Sequence, residues 1–282
     1  MPLVHTRDML LAARRSGYAV GAFNVENMEM AQAVVAAAQE LLAPVIVQTT
    51  PGTLRYASPA VFLAQVKALA EAAKVPVAMH LDHGSSITLC GDALQAGYTS
   101  VMIDGSAMPL NENIAVTQAV VKLCGNIPVE GELGRVGGKE DDTESDGAGY
   151  TDLEEAIRFV RETGVSSLAV GVGTAHGVYA QAPVLNVPLI GLLREHIAIP
   201  LVLHGASGLP DDAVKACIEN GISKVNFATD LRIAYTEAVK AYLNSHPSVI
   251  DPKKYGEAAR AAVCALVKDR MRVCGCDGRA NA

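Results

Sequence analysis

Eight short apolar runs, each followed by an Ala-rich amphipathic stretch, recur along the 282 residues of the chain. The runs are Tyr18–Val25, Pro44–Thr49, Pro76–Leu81, Ser100–Ile103, Pro128–Leu133, Ser167–Val172, Pro200–Leu203 and Lys224–Phe227. Between them lie helical patterns such as Met28–Leu42, Pro59–Lys74 and Leu153–Thr163. Strands alternating with helices build parallel βαβ units. Several runs open on Pro, which a strand tolerates at its first position. Eight units predict a closed (β/α)8 TIM barrel rather than an open sheet, with residues 1–282 forming one domain. From His246 onward, the helical Tyr255–Val273 included, the chain reads as a C-terminal helical extension packed on the barrel. Half of the residues are hydrophobic but only 4% are aromatic and none is Trp. Ala, Val, Leu and Ile must therefore fill the core, as buried parallel strands under helices require.

A net charge of -7 excludes a nucleic-acid binder, because phosphate backbones demand clustered Lys and Arg. It still allows a phosphorylated small molecule, held by backbone N–H groups and one or two cations. The N-terminus has no basic stretch leading into an apolar run, and no segment approaches 18 apolar residues. The expectation is a cytoplasmic protein with neither signal peptide nor transmembrane helix. Cys90, Cys124, Cys217, Cys264, Cys274 and Cys276 do not form the spaced framework of a disulfide scaffold. Cys274-Gly275-Cys276 reads as a C-terminal turn rather than a metal clip.

One connection breaks the rhythm. Gly134–Tyr150 is rich in Gly and acidic residues and lacks apolar periodicity. A loop of that length in a compact domain is usually a lid or a binding loop. Gly177–Pro183, after the sixth run, is a second loop able to move.

The polar residues fall at one end of the runs. In order they are Asn24; Gln48 and Thr50; Asp82 and His83; Asp104; Glu132; His176; His204; and Asn226 with Asp230. The C-terminal rim is where α/β barrels assemble active sites, drawing on several strands at once. Of the seven histidines, His5, His196 and His246 stand in terminal or helical contexts that suit the surface. His80 lies inside a run and reads as structural. His83, His176 and His204 each close a strand and each precede a Gly, which lets a ligand or backbone approach the ring. Three imidazoles converging at a barrel mouth make a catalytic zinc site with a position left for substrate. His204-Gly205-Ala206-Ser207-Gly208 and Asn226-Phe227-Ala228-Thr229 supply small residues and hydroxyls after the seventh and eighth strands, where barrels bind phosphate.

His80-Leu81-Asp82-His83-Gly84, Ser100–Ser106, Glu130–Gly134 with Gly137–Asp141, Gly173–Gly177, His204–Gly208 and Lys224–Asn226 follow one another in order. Together they closely resemble the class II (metal-dependent) ketose-bisphosphate aldolases, over essentially the whole chain. The resemblance implies roles for individual residues. His83, His176 and His204 match the zinc ligands, with Asp104 and Glu132 as neighbouring or alternative metal positions. Asp82 matches the acid/base at the C4 hydroxyl. Glu140, on the long loop, matches the residue that moves the proton of the dihydroxyacetone-phosphate carbon. Gly177, Gly205, Ser207, Asn226 and Thr229 match the groups that bind the dihydroxyacetone-phosphate end, beside a monovalent cation common in the family. Asn24, Gln48, Thr50, Ala206, Phe227, Ala228 and Arg279 complete the substrate-binding set. A homodimer or homotetramer is expected.

The residue types suit the chemistry. Breaking C3–C4 leaves negative charge next to a carbonyl, and a metal on neutral imidazoles polarises that carbonyl. A carboxylate at Asp82 takes the hydroxyl proton in cleavage and returns it in condensation. A lid that excludes water protects the carbanionic intermediate. Ala228, the Thr49–Thr53 segment and the ending Cys274–Ala280 are similar to the tagatose-bisphosphate branch, which is favoured as substrate. Fructose bisphosphate and deoxyketogluconate phosphate remain as alternatives. A Schiff-base aldolase would need a lysine at the mouth, and Lys224 begins its strand at the wrong end. A noncatalytic assembly subunit would be expected to have lost ligands that this chain keeps.

Overall fold

In the computed structural model, which describes residues 3–140, 143–145, 149–179, 181 and 183–281, all eight runs are strands of one closed parallel barrel. The strands of the chain are β1 (Val20–Asn24), β2 (Val45–Thr49), β3 (Val77–Gly84), β4 (Ser100–Ile103), β5 (Val129–Leu133), β6 (Gly137–Glu140), β7 (Thr143–Ser145), β8 (Ser167–Val170), β9 (Ala175–His176), β10 (Leu201–Leu203) and β11 (Ile222–Phe227). Going round the barrel the order is β1-β11-β10-β8-β5-β4-β3-β2. Helices return the chain between these strands, several opened by a side chain that satisfies a free backbone N–H. Asn27 accepts from Met30 N, Ser86 from Leu89 N and Asp152 from Glu155 N, each satisfying a donor the helix cannot. The terminal helix Pro252–Cys274 packs on the helices Met28–Leu41 and Thr229–Ser245, so the expected C-terminal extension is present.

Apolar side chains facing outward from the strands meet the helices and form the main core, where Phe23 stacks on Phe227 with ring centroids 5.5 Å apart. Facing inward, the barrel is unusually polar. Side chains alternate along a strand with period two, so His80 shares a face with Asp82, Glu130 with Glu132 and Lys224 with Asn226. Met102, Ala169 and Val202 form a small apolar cluster apart from the main core. Lys224 is fully buried, and β11 begins at Ile222, not at Lys224 as the sequence suggested. The lysine therefore sits within its strand, below the mouth.

The described residues of Gly134–Tyr150 are more ordered than their composition implies. An isolated bridge joins Arg135 to Gly149, and β6 and β7 pair antiparallel into an arm. The arm pairs in turn with β9, placing Gly138 opposite His176. Two adjacent glycines conceal this strand in the sequence, because their pairing partner lies almost 40 residues away.

Candidate metal centre and active site

His83, His176 and His204 come together at the C-terminal mouth of the barrel, each offering a ring nitrogen within 4.8 Å of the others. Ring centroids are 5.0 Å apart for His83 and His176, 4.6 Å for His83 and His204, and 6.1 Å for His176 and His204. A bulge presents His83: the register of β3 on β4 shifts between Leu81 and Gly84. His83 itself holds φ 46, a conformation that costs a residue with a Cβ about 1 kcal/mol or more. Gly84 is required next to it, since a Cβ there would stand 2.3 Å from Met102 O. Strain of this kind re-aims a side chain where a regular strand would not.

The rings are held from outside. His83 Nδ1 donates to Asp104 Oδ2 at 2.8 Å, with Glu132 Oε2 at 3.9 Å. His204 Nε2 donates to Glu130 Oε1 at 2.9 Å. With both outer nitrogens carrying the proton, the inner ones, His83 Nε2 and His204 Nδ1, face each other at 2.8 Å. Two lone pairs at that separation repel unless a cation draws both. The donor set therefore fits a zinc ion bound by three imidazoles, with carboxylates fixing two of the rings. His83, Asp104 and Glu132 form a second cluster able to hold a metal, as expected for alternative metal positions. Burial works to raise the Asp104 carboxyl, but the hydrogen bond from His83 outweighs it and holds that group well below the usual range.

Asp82, 1% exposed, is held beside the histidines by amides from three strands. Asn24 Nδ2 donates to Oδ2 at 2.9 Å, Gln48 Nε2 to the same oxygen at 3.1 Å, and Asn226 Nδ2 to Oδ1 at 3.1 Å. Gln48 also donates to Asn24 Oδ1 at 2.7 Å and is fully buried. Gln48 thus helps to position Asp82. Thr50 is also buried, and its hydroxyl caps the helix Pro51–Tyr56. Ala206 and Phe227 are fully buried as well, leaving only their backbone near the mouth.

A cleft beside the histidines is lined by Asn24, His176, Gly177, Gly205, Ser207 and Asn226, and by Ala228, Thr229 and Arg232. Gly205 has φ 67, and a Cβ there would lie 2.6 Å from Ala175 O, so glycine alone closes this wall. Ser207 Oγ accepts from Ala228 N at 3.1 Å and Asp230 N at 3.4 Å, while Asp230 Oδ2 accepts from Gly208 N at 3.2 Å. These bonds lace the HGASG turn to the start of the helix Thr229–Ser245, whose positive end favours an anion. Arg232, which the sequence reading passed over, adds a cation at the edge. Its Nε donates to Glu26 Oε1 at 2.7 Å, and Glu26 Oε2 accepts from Thr53 at 2.6 Å. The signal was available, since Arg232 lies one turn beyond Thr229.

The other expected positions divide. Glu140 ends β6, but its side chain, with Asp141 and Asp142, lies outside the described residues. Arg279 is far from the mouth in its own chain. Its guanidinium lies 5.4 Å from the Tyr18 ring centroid, and Gly278 N and Ala280 N donate to Leu41 O and Leu42 O. That places it at the N-terminal end of the barrel, because the tail is tied to the segment entering β2. Lys224, Glu130 and His80 lie buried beneath the site. Lys224 Nζ contacts Glu130 Oε2 at 2.9 Å and Oε1 at 3.2 Å. Burial works to raise the Glu130 carboxyl, but the Lys224 ammonium and His204 hold it well below the usual range. His80 Nδ1 lies 2.6 Å from Ser100 Oγ, and burial together with Lys224 keeps the ring well below its ordinary pKa. His80 is thus a neutral structural histidine.

The class-II fructose-bisphosphate aldolase family model matches residues 4–279. The chain belongs to that family. It is an aldolase, a carbon–carbon lyase of carbohydrate metabolism. The D-tagatose-1,6-bisphosphate aldolase subunit of Klebsiella oxytoca is 44% identical over 283 residues, covering 99% of this chain and 100% of that one. Among solved structures, the YdjI aldolase of Escherichia coli K12 superimposes with a TM-score of 0.88 at 34% identity, over 99% of this chain and 100% of that one. The fructose-bisphosphate aldolase of Campylobacter jejuni shares the fold, with a TM-score of 0.83 at 20% identity over 98% and 96%. No helix among the described residues of the aldolase is long and apolar enough to cross a membrane.

Proposed function

We propose that this aldolase reversibly cleaves tagatose 1,6-bisphosphate to dihydroxyacetone phosphate and glyceraldehyde 3-phosphate, as one domain with zinc held by His83, His176 and His204. The observation that carries this reading is the convergence of those three rings beside a carboxylate, Asp82, that neighbouring amides hold in place. A zinc ion there supplies a Lewis acid for the substrate carbonyl. Asp82 accepts the C4 hydroxyl proton during cleavage and returns it during condensation. Asn226 lines the cleft and keeps a buried Oδ1 with no hydrogen-bond partner among the described residues, an acceptor for a substrate hydroxyl. Gly177, Gly205, Ser207, Ala228 and Thr229 cradle one phosphate, with a monovalent cation beside it, and Arg232 offers charge to the other. Glu140, carried on the arm that pairs with His176, moves the proton of the dihydroxyacetone-phosphate carbon. Lys224 is committed to Glu130, so a Schiff base there is disfavoured.

Tagatose bisphosphate is preferred over fructose bisphosphate because the 44% identical relative is a subunit of a D-tagatose-1,6-bisphosphate aldolase and because Ala228 itself adds no charge to the cleft wall. A homodimer or homotetramer is the proposed assembly, and only a second copy could bring an Arg279 to the mouth. The six cysteines are free, in keeping with a reducing cytoplasm. The test is a comparison of kcat/KM on tagatose and fructose 1,6-bisphosphates with the isolated chain. A higher value for tagatose supports the assignment. A higher value for fructose overturns the sugar, and no cleavage of either overturns an independently active enzyme.

A further inference from the structure

We infer that Glu130 and Lys224, deep inside the barrel, are positioning residues that fix the tautomer of His204 and so set how tightly the centre holds zinc. The inference rests on the proposed three-histidine site and adds to it how one ligand is made ready. His83 and His204 use opposite ring nitrogens: His83 turns Nδ1 outward to Asp104, whereas His204 turns Nε2 outward to Glu130. His83 must therefore be the Nδ1–H tautomer and His204 the Nε2–H tautomer for both inner nitrogens to present lone pairs. Asp104 is partly exposed and pairs with His83 at the rim, with side-chain exposures of 25% and 13%. Glu130 works where no water competes, since it, Lys224 and His204 are 2%, 0% and 0% exposed.

Few other groups near His204 can make this choice. Asn226 Nδ2 lies 3.4 Å from Nδ1 and 3.2 Å from Nε2, so its amide approaches both nitrogens about equally. Glu130 contacts Nε2, and as a carboxylate it can only accept. A lone buried carboxylate would be costly. Lys224 offsets that cost with its two contacts, and Ser167 Oγ adds a donor to Oε2 at 3.3 Å. A lysine inside an aldolase barrel invites a covalent role, but this one is the counterion of a carboxylate. Glu130→Gln keeps the shape and loses the selection, because an amide can donate as well as accept.

Two measurements test this. In wild-type protein with 15N-labelled histidine, proton–nitrogen correlation spectra of the chelated form should show His204 as the Nε2–H tautomer and His83 as the Nδ1–H tautomer. His204 as Nδ1–H overturns the inference without any variant. Zinc affinity, measured by competition with a chromophoric chelator, should fall about 10- to 100-fold in Glu130→Gln. That variant leaves Lys224 uncompensated, so the neutral pair Glu130→Gln/Lys224→Met is measured beside it, with circular dichroism to confirm the fold. It should show the same loss. Wild-type affinity in the double variant overturns the inference while leaving the site intact. Wild-type protein that binds no zinc overturns the site itself.

Discussion

Asp82 is placed by its neighbours. Amides from β1, β2 and β11 reach one carboxylate on β3, so four strands converge on the group that must exchange a proton with substrate. Replacing it with Asn keeps the volume and removes the base. Asp82→Asn should lower kcat about a hundred- to ten-thousand-fold with zinc content unchanged, as steady-state cleavage and metal analysis would show. A fall in zinc content instead would make Asp82 a support of the metal site. At this scale the sequence revealed what sits at strand ends and hid what sits beneath them. Asp82 and His83 near the end of β3, His204 directly after β10 and His176 on β9, beyond the end of β8, were legible. Glu130, Lys224 and the burial of Gln48 were not, although period-two alternation placed Glu130 beneath Glu132 and Lys224 beneath Asn226. A buried charged residue becomes meaningful only when its partner, 94 residues away in this case, is known.

The arm formed by β6 and β7 stands on β9, the two-residue strand that carries His176. Its pivot is Gly138, at φ 88, where a Cβ would lie 2.2 Å from His176 O. Gly138→Ala should therefore disturb a metal ligand and the proposed proton carrier on one element, shifting kcat and KM together, as hinge changes do. The barrel, which makes none of these contacts, should keep its melting temperature within a few degrees. Unaltered kinetics would show that the arm and His176 are independent. Strands and long helices were readable within three residues, because uninterrupted apolar runs and Ala-rich periodicity leave little choice. The strands of the arm leave no such trace in the sequence, since glycines carry no propensity signal and the pairing partner is β9.

Across the whole molecule, the charged tier inside the barrel links acid stability to the site. Asp104 and Glu130 are held well below the usual carboxylate range, against the opposing effect of burial, by His83 and by Lys224 with His204 respectively. A carboxyl with a lowered folded pKa stabilises fully above its unfolded value, near about 4, and that contribution is lost as pH falls toward the folded value. Urea midpoints of the chelated protein should thus decline from about pH 5 downward, and decline less in Glu130→Gln/Lys224→Met. An equal decline in both would remove Glu130 from the account. Burial also pushes the thiols of Cys90 and Cys276 up to about 12, and those of Cys124 and Cys217 up to about 11. These four should resist a disulfide reagent at pH 8 until the protein unfolds, as a thiol count with and without denaturant would reveal.

The fold brings three histidines, distant in sequence, to one point at the barrel mouth, and titrating metal back into the stripped enzyme probes that claim. Chelated aldolase should be inactive on ketose bisphosphate and recover in proportion to added zinc, reaching its plateau at about one ion per chain, while His176→Ala should recover nothing. Full cleavage by stripped protein, or by His176→Ala, would contradict the account.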